Sequence, residues 1–360
     1  MASELESIEE TTKKIFNVSN TYYTPSGMLE FSLTEEEDYS SRFSILISEL
    51  KKRGYLAVLR KSNSSVTLSV FKVQPQKDGN LYLLRVLLLP VAILTIIIDG
   101  WFRSQFLYPL GSIRIVITDT AIYGILLLGI LGSHMLGHYI SNRFWGVKTN
   151  LPYFIPGVPM VFPTLGHIDF LHERYTNWNS QFDSSVVGAL FCLLASIVAL
   201  FVGIFDTRVM TTEMASSLFG STIHNVQLPI GVVYLLNHFF PAGPGQVQLL
   251  SPLLSAASFG FLISFLNIIP LWNFDGERAA APLLNPRYRF SITWIAVLAF
   301  LLMQYYWLAF AVLVFSWNVR DVRPLDEVSP ISPKRKIILF IVLAVAVITF
   351  YLFLYPPYIS

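Results

Sequence analysis

Two histidines four residues apart are the part of this sequence best suited to chemistry. His134 and His138 lie in an apolar run long enough to cross a bilayer. In a helix, residues at i and i+4 share one face, so both imidazoles could bind one metal ion. The alternative is a pair of histidines that hydrogen-bond to neighbouring helices. The small residues Gly132, Ser133 and Gly137 favour the metal site, because they let another helix approach closely.

The residue after the first histidine decides what such a site could do. In the zinc signature His-Glu-x-x-His, the glutamate accepts a proton from a metal-activated water. Met135 occupies that position here. Its thioether is a weak hydrogen-bond acceptor at best, and general acid–base catalysis contributes roughly 10²–10⁴ in rate. We therefore expect little peptide hydrolysis unless another group replaces the base. The candidate replacements are His167, Asp169, His172, Glu173 and Glu277.

A zinc site needs a third protein ligand, and Asp275 is the best candidate. Pro270 ends an apolar segment, and the carboxylate follows it at the expected membrane boundary. The alternative is that Asp275 and Gly276 form an ordinary turn.

The composition is that of an integral membrane protein. Of its 360 residues, 54% are hydrophobic and only 13% are charged. The net charge of +2 gives no indication of nucleic-acid binding. A single cysteine, Cys192, excludes disulfides within the chain. Apolar runs predict membrane spans at 82–101, 115–141, 184–205, 250–272 and 337–355.

The segment 290–316 is long for one helix and short for two. Arginine and lysine cluster in the loops near 143–174, 278–289 and 320–336. The positive-inside rule places these loops in the cytosol, together with the N-terminal region. Both ends of 290–316 would then be cytosolic, which favours a tight pair of short helices.

The sequence divides into three regions. Residues 1–80 are expected to form a small soluble, cytosolic α+β domain and a linker. Within it, Phe43, Leu46, Ile47 and Leu50 follow helical spacing, and strands are expected at 55–60 and 66–73. Residues 81–318 are expected to form the membrane core. Residues 319–360 are expected to form a cytosolic loop and a C-terminal transmembrane helix.

Two apolar segments, 151–166 and 228–245, are interrupted by proline and glycine. Irregular backbone at membrane depth is tolerated where it is buried or lines a cavity. The first segment directly follows the histidine helix. We therefore expect it to line the site as a re-entrant loop.

Taken together, these motifs resemble the site-2 protease family of intramembrane zinc metalloproteases. They are the His-x-x-x-His helix, the Phe154-Ile155-Pro156 loop and the pattern Asn267-x-x-Pro270-x-x-x-x-Asp275-Gly276. The likeness runs from about residue 115 to 290, and the N-terminal region resembles that of longer archaeal and plastid-type members. The resemblance implies a three-helix core that holds one zinc ion. It also implies that His134, His138 and Asp275 are the ligands and that Asn267 positions an extended substrate strand.

The sequence departs from the family pattern at four places. Met135 replaces the glutamate, and Gly166-His167-Ile168-Asp169 stands where the family has Gly-Thr-Phe-Gly. The family's Asp-Gly-Gly-His reads Asp275-Gly276-Glu277-Arg278, and its His-Pro pair reads Ser251-Pro252. All three implied ligands are kept, while the positions around them are changed.

These departures predict a family member that binds zinc but is proteolytically impaired or inactive. Its expected partners are transmembrane or membrane-anchored protein segments, and an active protease relative is a further candidate. One alternative is an active intramembrane metalloprotease with another base. A second alternative is a proton or metal transporter that uses the same three polar residues. The absence of paired internal repeats in the sequence argues against transport.

Overall fold

The protein is mainly α-helical, with a small sheet-containing region at its N-terminus, as expected. The computed structural model describes residues 2–24, 28–34, 38–62, 65–73, 79–108, 111–149, 152–168, 174–219, 228–317 and 323–354. The helices in these ranges are α1 (Ala2–Ile15), α2 (Tyr39–Lys52), α3 (Gly79–Leu107), α4 (Ile113–Phe144), α5 (Trp178–Phe205), α6 (Thr212–Phe219), α7 (Ile230–Phe239), α8 (Leu253–Ile268), α9 (Asp275–Ala280), α10 (Pro286–Leu302), α11 (Tyr306–Ser316) and α12 (Pro333–Phe353). The strands are β1 (Val18–Tyr23), β2 (Leu29–Leu33), β3 (Tyr55–Ser62), β4 (Ser65–Lys72), β5 (Tyr153–Val158), β6 (Phe162–Ile168), β7 (Arg208–Thr211) and β8 (Gln246–Leu249).

The N-terminal region is a four-stranded antiparallel sheet covered by α1 and α2. Its strand order is β1-β2-β4-β3. Alternate residues of β4 are buried, as the pleat of a one-sided sheet requires. The apolar face of α2 packs on them through Phe43, Leu46, Ile47 and Leu50. The predicted helix and the two predicted strands are therefore confirmed.

Four helices of the described residues are long and apolar enough to cross a membrane: α3 from Tyr82, α4, α5 and α12. They match four of the five predicted spans and make this chain a membrane protein. The fifth prediction, 250–272, holds only the 16-residue helix α8. At 1.5 Å per residue α8 is roughly 24 Å long. Most of its side chains are buried against α4, α5 and α12, so α8 forms the centre of the bundle.

The ambiguous segment 290–316 forms two helices, α10 and α11, which pack on each other. They separate at residues 303–305, where Gln304 has a left-handed φ of 67°. This agrees with the expected pair of short helices.

The first interrupted segment is not an irregular loop but an antiparallel hairpin of β5 and β6, packed on α3. The pairing register shifts between Phe154 and Pro156, because proline cannot donate to the ladder. The second segment forms α7 and a turn into β8, which pairs with β7. The prolines and glycines therefore mark turns and a bulge rather than loss of regular structure.

A short extended segment, 324–329, connects the N-terminal sheet to the bundle. The amide of Leu59 donates to the carbonyl of Leu325 at 2.8 Å, and the amide of Leu325 donates to the carbonyl of Tyr175 at 2.8 Å. The side chain of Leu325 is buried in the core of the N-terminal sheet. This segment covers β3, which would otherwise be an open sheet edge.

Candidate metal centre

His134 and His138 face the same direction from the C-terminal third of α4, as their spacing predicts. Both are buried, and their ring centroids lie 4.8 Å apart. Their Nε2 atoms approach each other to 2.9 Å. The two ring nitrogens therefore point at one small volume.

Asp275 completes this group from the first residue of α9. Its Oδ2 lies 3.1 Å from Nε2 of His134 and 3.0 Å from Nε2 of His138. Asn273, with a φ of 69°, turns the chain after α8 so that the carboxylate enters the bundle. A Cβ on Gly276 would collide with backbone carbonyls at the end of α8, so this tight turn requires glycine.

Glycines allow α4 and α5 to approach each other at the site. A Cβ on Gly137 would lie 2.7 Å from the carbonyl oxygen of Val187. A Cβ on Gly188 would lie 2.5 Å from Nε2 of His138. By contrast, a Cβ on Gly132 would meet no heavy atom within 4 Å, so this glycine does not serve the contact.

Hydrogen bonds from behind hold two of the three donors, His138 and Asp275, in place. Nδ1 of His138 lies 3.3 Å from Oγ of Ser184, which accepts a hydrogen bond from Tyr175 at 3.0 Å. The guanidinium of Arg278 donates to Oδ1 of Asp275 at 3.3 Å. Nδ1 of His134 is buried and has no hydrogen-bond partner among the described residues.

A third histidine, His167 on β6, lies beside this pair. Its ring centroid is 5.1 Å from that of His134 and 6.2 Å from that of His138. One ring nitrogen from each of the three histidines fits within a mutual separation of 4.8 Å. The sequence offered His167 only as a replacement base, because the hairpin that brings it here could not be read from the interrupted segment.

The remaining candidate residues take other roles or lie outside the described ranges. Glu277 is buried, forms an ion pair with buried Arg289, and accepts from the amide of Asn273 at 3.1 Å. The side chain of Asn267 donates to the carbonyl of Ile263 at 2.9 Å. Met135 is half-buried on α4. Asp169, His172 and Glu173 lie outside the described residues.

Asp183 lies within α5 and links this helix to two neighbours. Asn177 caps α5, and its side chain accepts from the amide of Ser180. Asp183 lies in the second turn of α5 and forms an ion pair with Arg335 at 2.6 Å. It also accepts from the indole of Trp145 at 3.0 Å. Asp183 therefore ties α5 to α12 and to the end of α4.

The donor set fits a divalent metal of the zinc type. Imidazole nitrogen and carboxylate oxygen are both zinc ligands, bound at roughly 2.0–2.2 Å. Tetrahedral ligands at that distance are about 3.4 Å from one another. The three donor atoms of His134, His138 and Asp275 are 2.9–3.1 Å apart, a few tenths of an ångström closer.

Comparison with known proteins gives one informative likeness. No family model and no solved structure matches the chain. Over 180 residues, 49% of its length, the chain is 26% identical to the probable zinc metalloprotease EGY1, chloroplastic, of Arabidopsis thaliana. The chain covers 30% of that relative's length. This membrane protein is thus distantly similar to a probable zinc metalloprotease, and its histidine cluster is compatible with a metal ion.

Proposed function

We propose that this protein is a zinc-binding membrane protein of the site-2 protease type whose peptide-hydrolysing activity is impaired or lost. The proposal depends on one observation. His134, His138 and Asp275 converge on one buried point, while Met135 fills the position of the proton acceptor.

Three features support zinc as the metal. The donors are two imidazole nitrogens and one carboxylate oxygen, a set that zinc binds well. Ser184 orients His138 from behind, as a partner to the second ring nitrogen usually does. The distant relative carries zinc metalloprotease in its name.

When bound, zinc would supply Lewis acidity toward a peptide carbonyl and a water molecule. The protein residues would hold the metal ion and orient its ligands, but the side chain at position 135 cannot accept a proton. Met135 has no basic atom, so the proton of the attacking water has no acceptor there. Glu277 is the acidic residue nearest in sequence to Asp275, but its carboxylate is engaged by Arg289 and Asn273. Using it as a base would break a buried ion pair, a change that costs several kcal/mol.

The retained core would bind membrane-spanning or membrane-anchored protein segments without cutting them. Asn267, in the last turn of α8, would help to position an extended strand of such a partner. The N-terminal region would face the cytosol, and the protein would compete with or regulate an active protease relative.

The test is zinc content and cleavage measured on the same purified protein. We expect one zinc per chain in the wild type and none in His138→Ala or Asp275→Ala. His238→Ala is the matched control, because His238 lies on α7 against Tyr234 and not at the site. We expect no cleavage of membrane-embedded helical substrates by any of these proteins. Wild-type cleavage that His134→Ala removes would refute the loss of hydrolysis, and zinc-free wild type would refute the site.

A second candidate is an active protease in which His167 accepts the proton. The observation that favours it is the 5.1 Å separation between the rings of His167 and His134. This alternative requires measurable wild-type cleavage that His167→Ala abolishes while zinc content stays unchanged.

A further inference from the structure

We propose that His167 is a fourth protein ligand, which closes the metal centre and makes it a structural site. This inference rests on the proposed zinc site and adds a residue to it. It assigns to His167 a role in binding the metal, with no part in proton transfer.

The first argument is proximity. Each of the three histidines has a ring nitrogen within 4.8 Å of the others. Ligand atoms of tetrahedral zinc are about 3.4 Å apart, so the longest of these separations exceeds the bound distance by about 1.4 Å. A small rotation of an imidazole on its Cα–Cβ bond covers such a difference.

The second argument is that the backbone of His167 is fixed. Its hairpin is held against α3, where the hydroxyl of Thr95 donates to the carbonyl of Pro163 at 2.9 Å. Asp99 accepts from the amide of Met160 at 2.6 Å at the hairpin turn. Gly166, with a φ of 88°, turns the strand directly before His167. The ring is therefore presented to α4 by a held strand, which is what a metal ligand requires.

The third argument is the chemistry of closed and open zinc sites. Structural sites have four protein ligands, whereas catalytic sites have three and keep one position for water or substrate. With His167 added to His134, His138 and Asp275, no position is left for water. A general base then has nothing to deprotonate, so the exchange of glutamate for Met135 carries no further cost. The departures from the family pattern at positions 135 and 167 thus both fit a change from an open, catalytic site to a closed, structural one.

The experiment is a metal titration of the full-length protein in detergent, first with Zn²⁺ and then with Co²⁺. The variants are His167→Ala, His138→Ala and the control His238→Ala. We expect the zinc dissociation constant of His167→Ala to rise at least about 100-fold, above the 10- to 100-fold typical of losing an outer-sphere partner. We expect His138→Ala to lose binding and the control to match the wild type. A dissociation constant unchanged in His167→Ala would overturn the inference.

A measurement on the wild type alone guards against misfolding of the variant. Co²⁺ in a closed site has no open position, so its visible absorption should not change when acetohydroxamate is added. In His167→Ala the same addition should shift the bands. A wild-type spectrum that shifts on this addition would contradict a closed site.

The outcomes separate this inference from the proposed function. If neither metal binds the wild type, the proposed zinc site is wrong. If zinc binds and depends on His138 but not on His167, the proposed function stands and the fourth ligand is wrong. Cleavage of fluorescent casein gives a third readout: Met135→Glu should stay inactive, whereas Met135→Glu with His167→Ala should gain activity. Equal activity of the two would overturn the inference.

Discussion

Asp275 is the residue of the candidate site whose burial costs the most free energy, because its carboxylate is charged. It is buried in an apolar bundle, with Arg278 on one oxygen and two imidazole nitrogens on the other. Moving a charged group out of water costs several kcal/mol unless it is paired and hydrogen-bonded. Here the partners are present. The protein therefore keeps a buried polar cluster with a high desolvation cost, next to a helix position where methionine stands in place of a proton acceptor. A bound metal ion, as proposed above, would account for the cluster whether or not the protein is catalytic.

Gly188 should be as important to the metal centre as the ligands. An alanine methyl at this position would lie 2.5 Å from Nε2 of His138 and would push the ring away. We expect Gly188→Ala to lose zinc and to destabilise the bundle by about 1–3 kcal/mol, the usual cost of overpacking. Zinc content and thermal unfolding in detergent measure both effects.

The matched control is Gly129→Ala on α4, where a new methyl would meet no atom within 4 Å. It should keep zinc and stability at the wild-type level. Full zinc content in Gly188→Ala would show that His138 is not held where the structure places it.

At the scale of elements, periodicity predicted those that are strongly patterned and missed those that are not. The helix α2 and the strands β3 and β4 alternate or repeat clearly, and they form as expected. The strand β1 reads Val-Ser-Asn-Thr-Tyr-Tyr, lies at a sheet edge and is largely exposed, so it carries no apolar alternation. The helix α1 is an exception, because Leu5, Ile8 and Ile15 follow helical spacing and pack in the core of the N-terminal region, yet they stand among many polar and acidic residues and the helix was not predicted.

The candidate site shows the same division. His134 and His138 are four residues apart on one helix, so their geometry follows from local structure alone. Asp275 is 141 residues from His134, and only a resemblance in motif linked the two in the sequence. His167 reaches the site through the pairing of β5 and β6, and the prolines in both strands hid that hairpin in the sequence. The position of a hairpin relative to a distant helix leaves no periodic pattern in the sequence, so the approach of His167 could not be predicted.

The buried carboxylate of Asp99 should control how firmly the hairpin is held. Besides the amide of Met160, it accepts hydrogen bonds from Arg103 at 2.7 Å and from Tyr123. Hydrogen bonds to charged groups contribute about 1.5–3 kcal/mol each. We therefore expect Asp99→Asn to speed amide exchange in residues 157–162 by about 10-fold or more.

Thr118→Val serves as the comparison, since this exposed hydroxyl donates only within its own helix, to the carbonyl of Arg114. Exchange in the hairpin should not change in that variant. Equal protection in Asp99→Asn and the wild type would mean that the hairpin is held by apolar packing instead.

At the scale of the whole molecule, the two regions are joined through the segment 324–329. Arg60 of β3 pairs with Glu327 at 3.0 Å and donates to the carbonyls of Pro324 and Leu325 at 3.0 Å. Asp326 bridges both to Leu59 in the sheet and to Asn177, the cap of α5. The N-terminal sheet and the start of α5 must therefore lie on the same side of the membrane.

Leu325 should stabilise this junction, because its side chain is 1% exposed in the core of the sheet region. Replacing a buried leucine by alanine costs about 2–5 kcal/mol. We expect Leu325→Ala to accelerate amide exchange at Leu59 and Glu327, which hydrogen-bond across the junction. Leu283→Ala, at a position 37% exposed, should leave both amides protected. If Leu325→Ala also leaves them protected, the junction depends on its backbone bonds alone.

The sides of the membrane follow from the same arrangement. The α5 helix crosses once between its cap at Asn177 and the strand β7, so α6 lies on the face opposite the N-terminal sheet. The distribution of basic residues predicts that the sheet side faces the cytosol. In a Cys192→Ser background, we expect the variants Glu10→Cys and Lys334→Cys to react with a membrane-impermeant maleimide only after the cells are permeabilised. A cysteine at Glu213 of α6 should react in intact cells. Labelling of positions 10 and 213 from the same side would contradict the fold, whereas an exchange of the two sides would contradict only the charge rule.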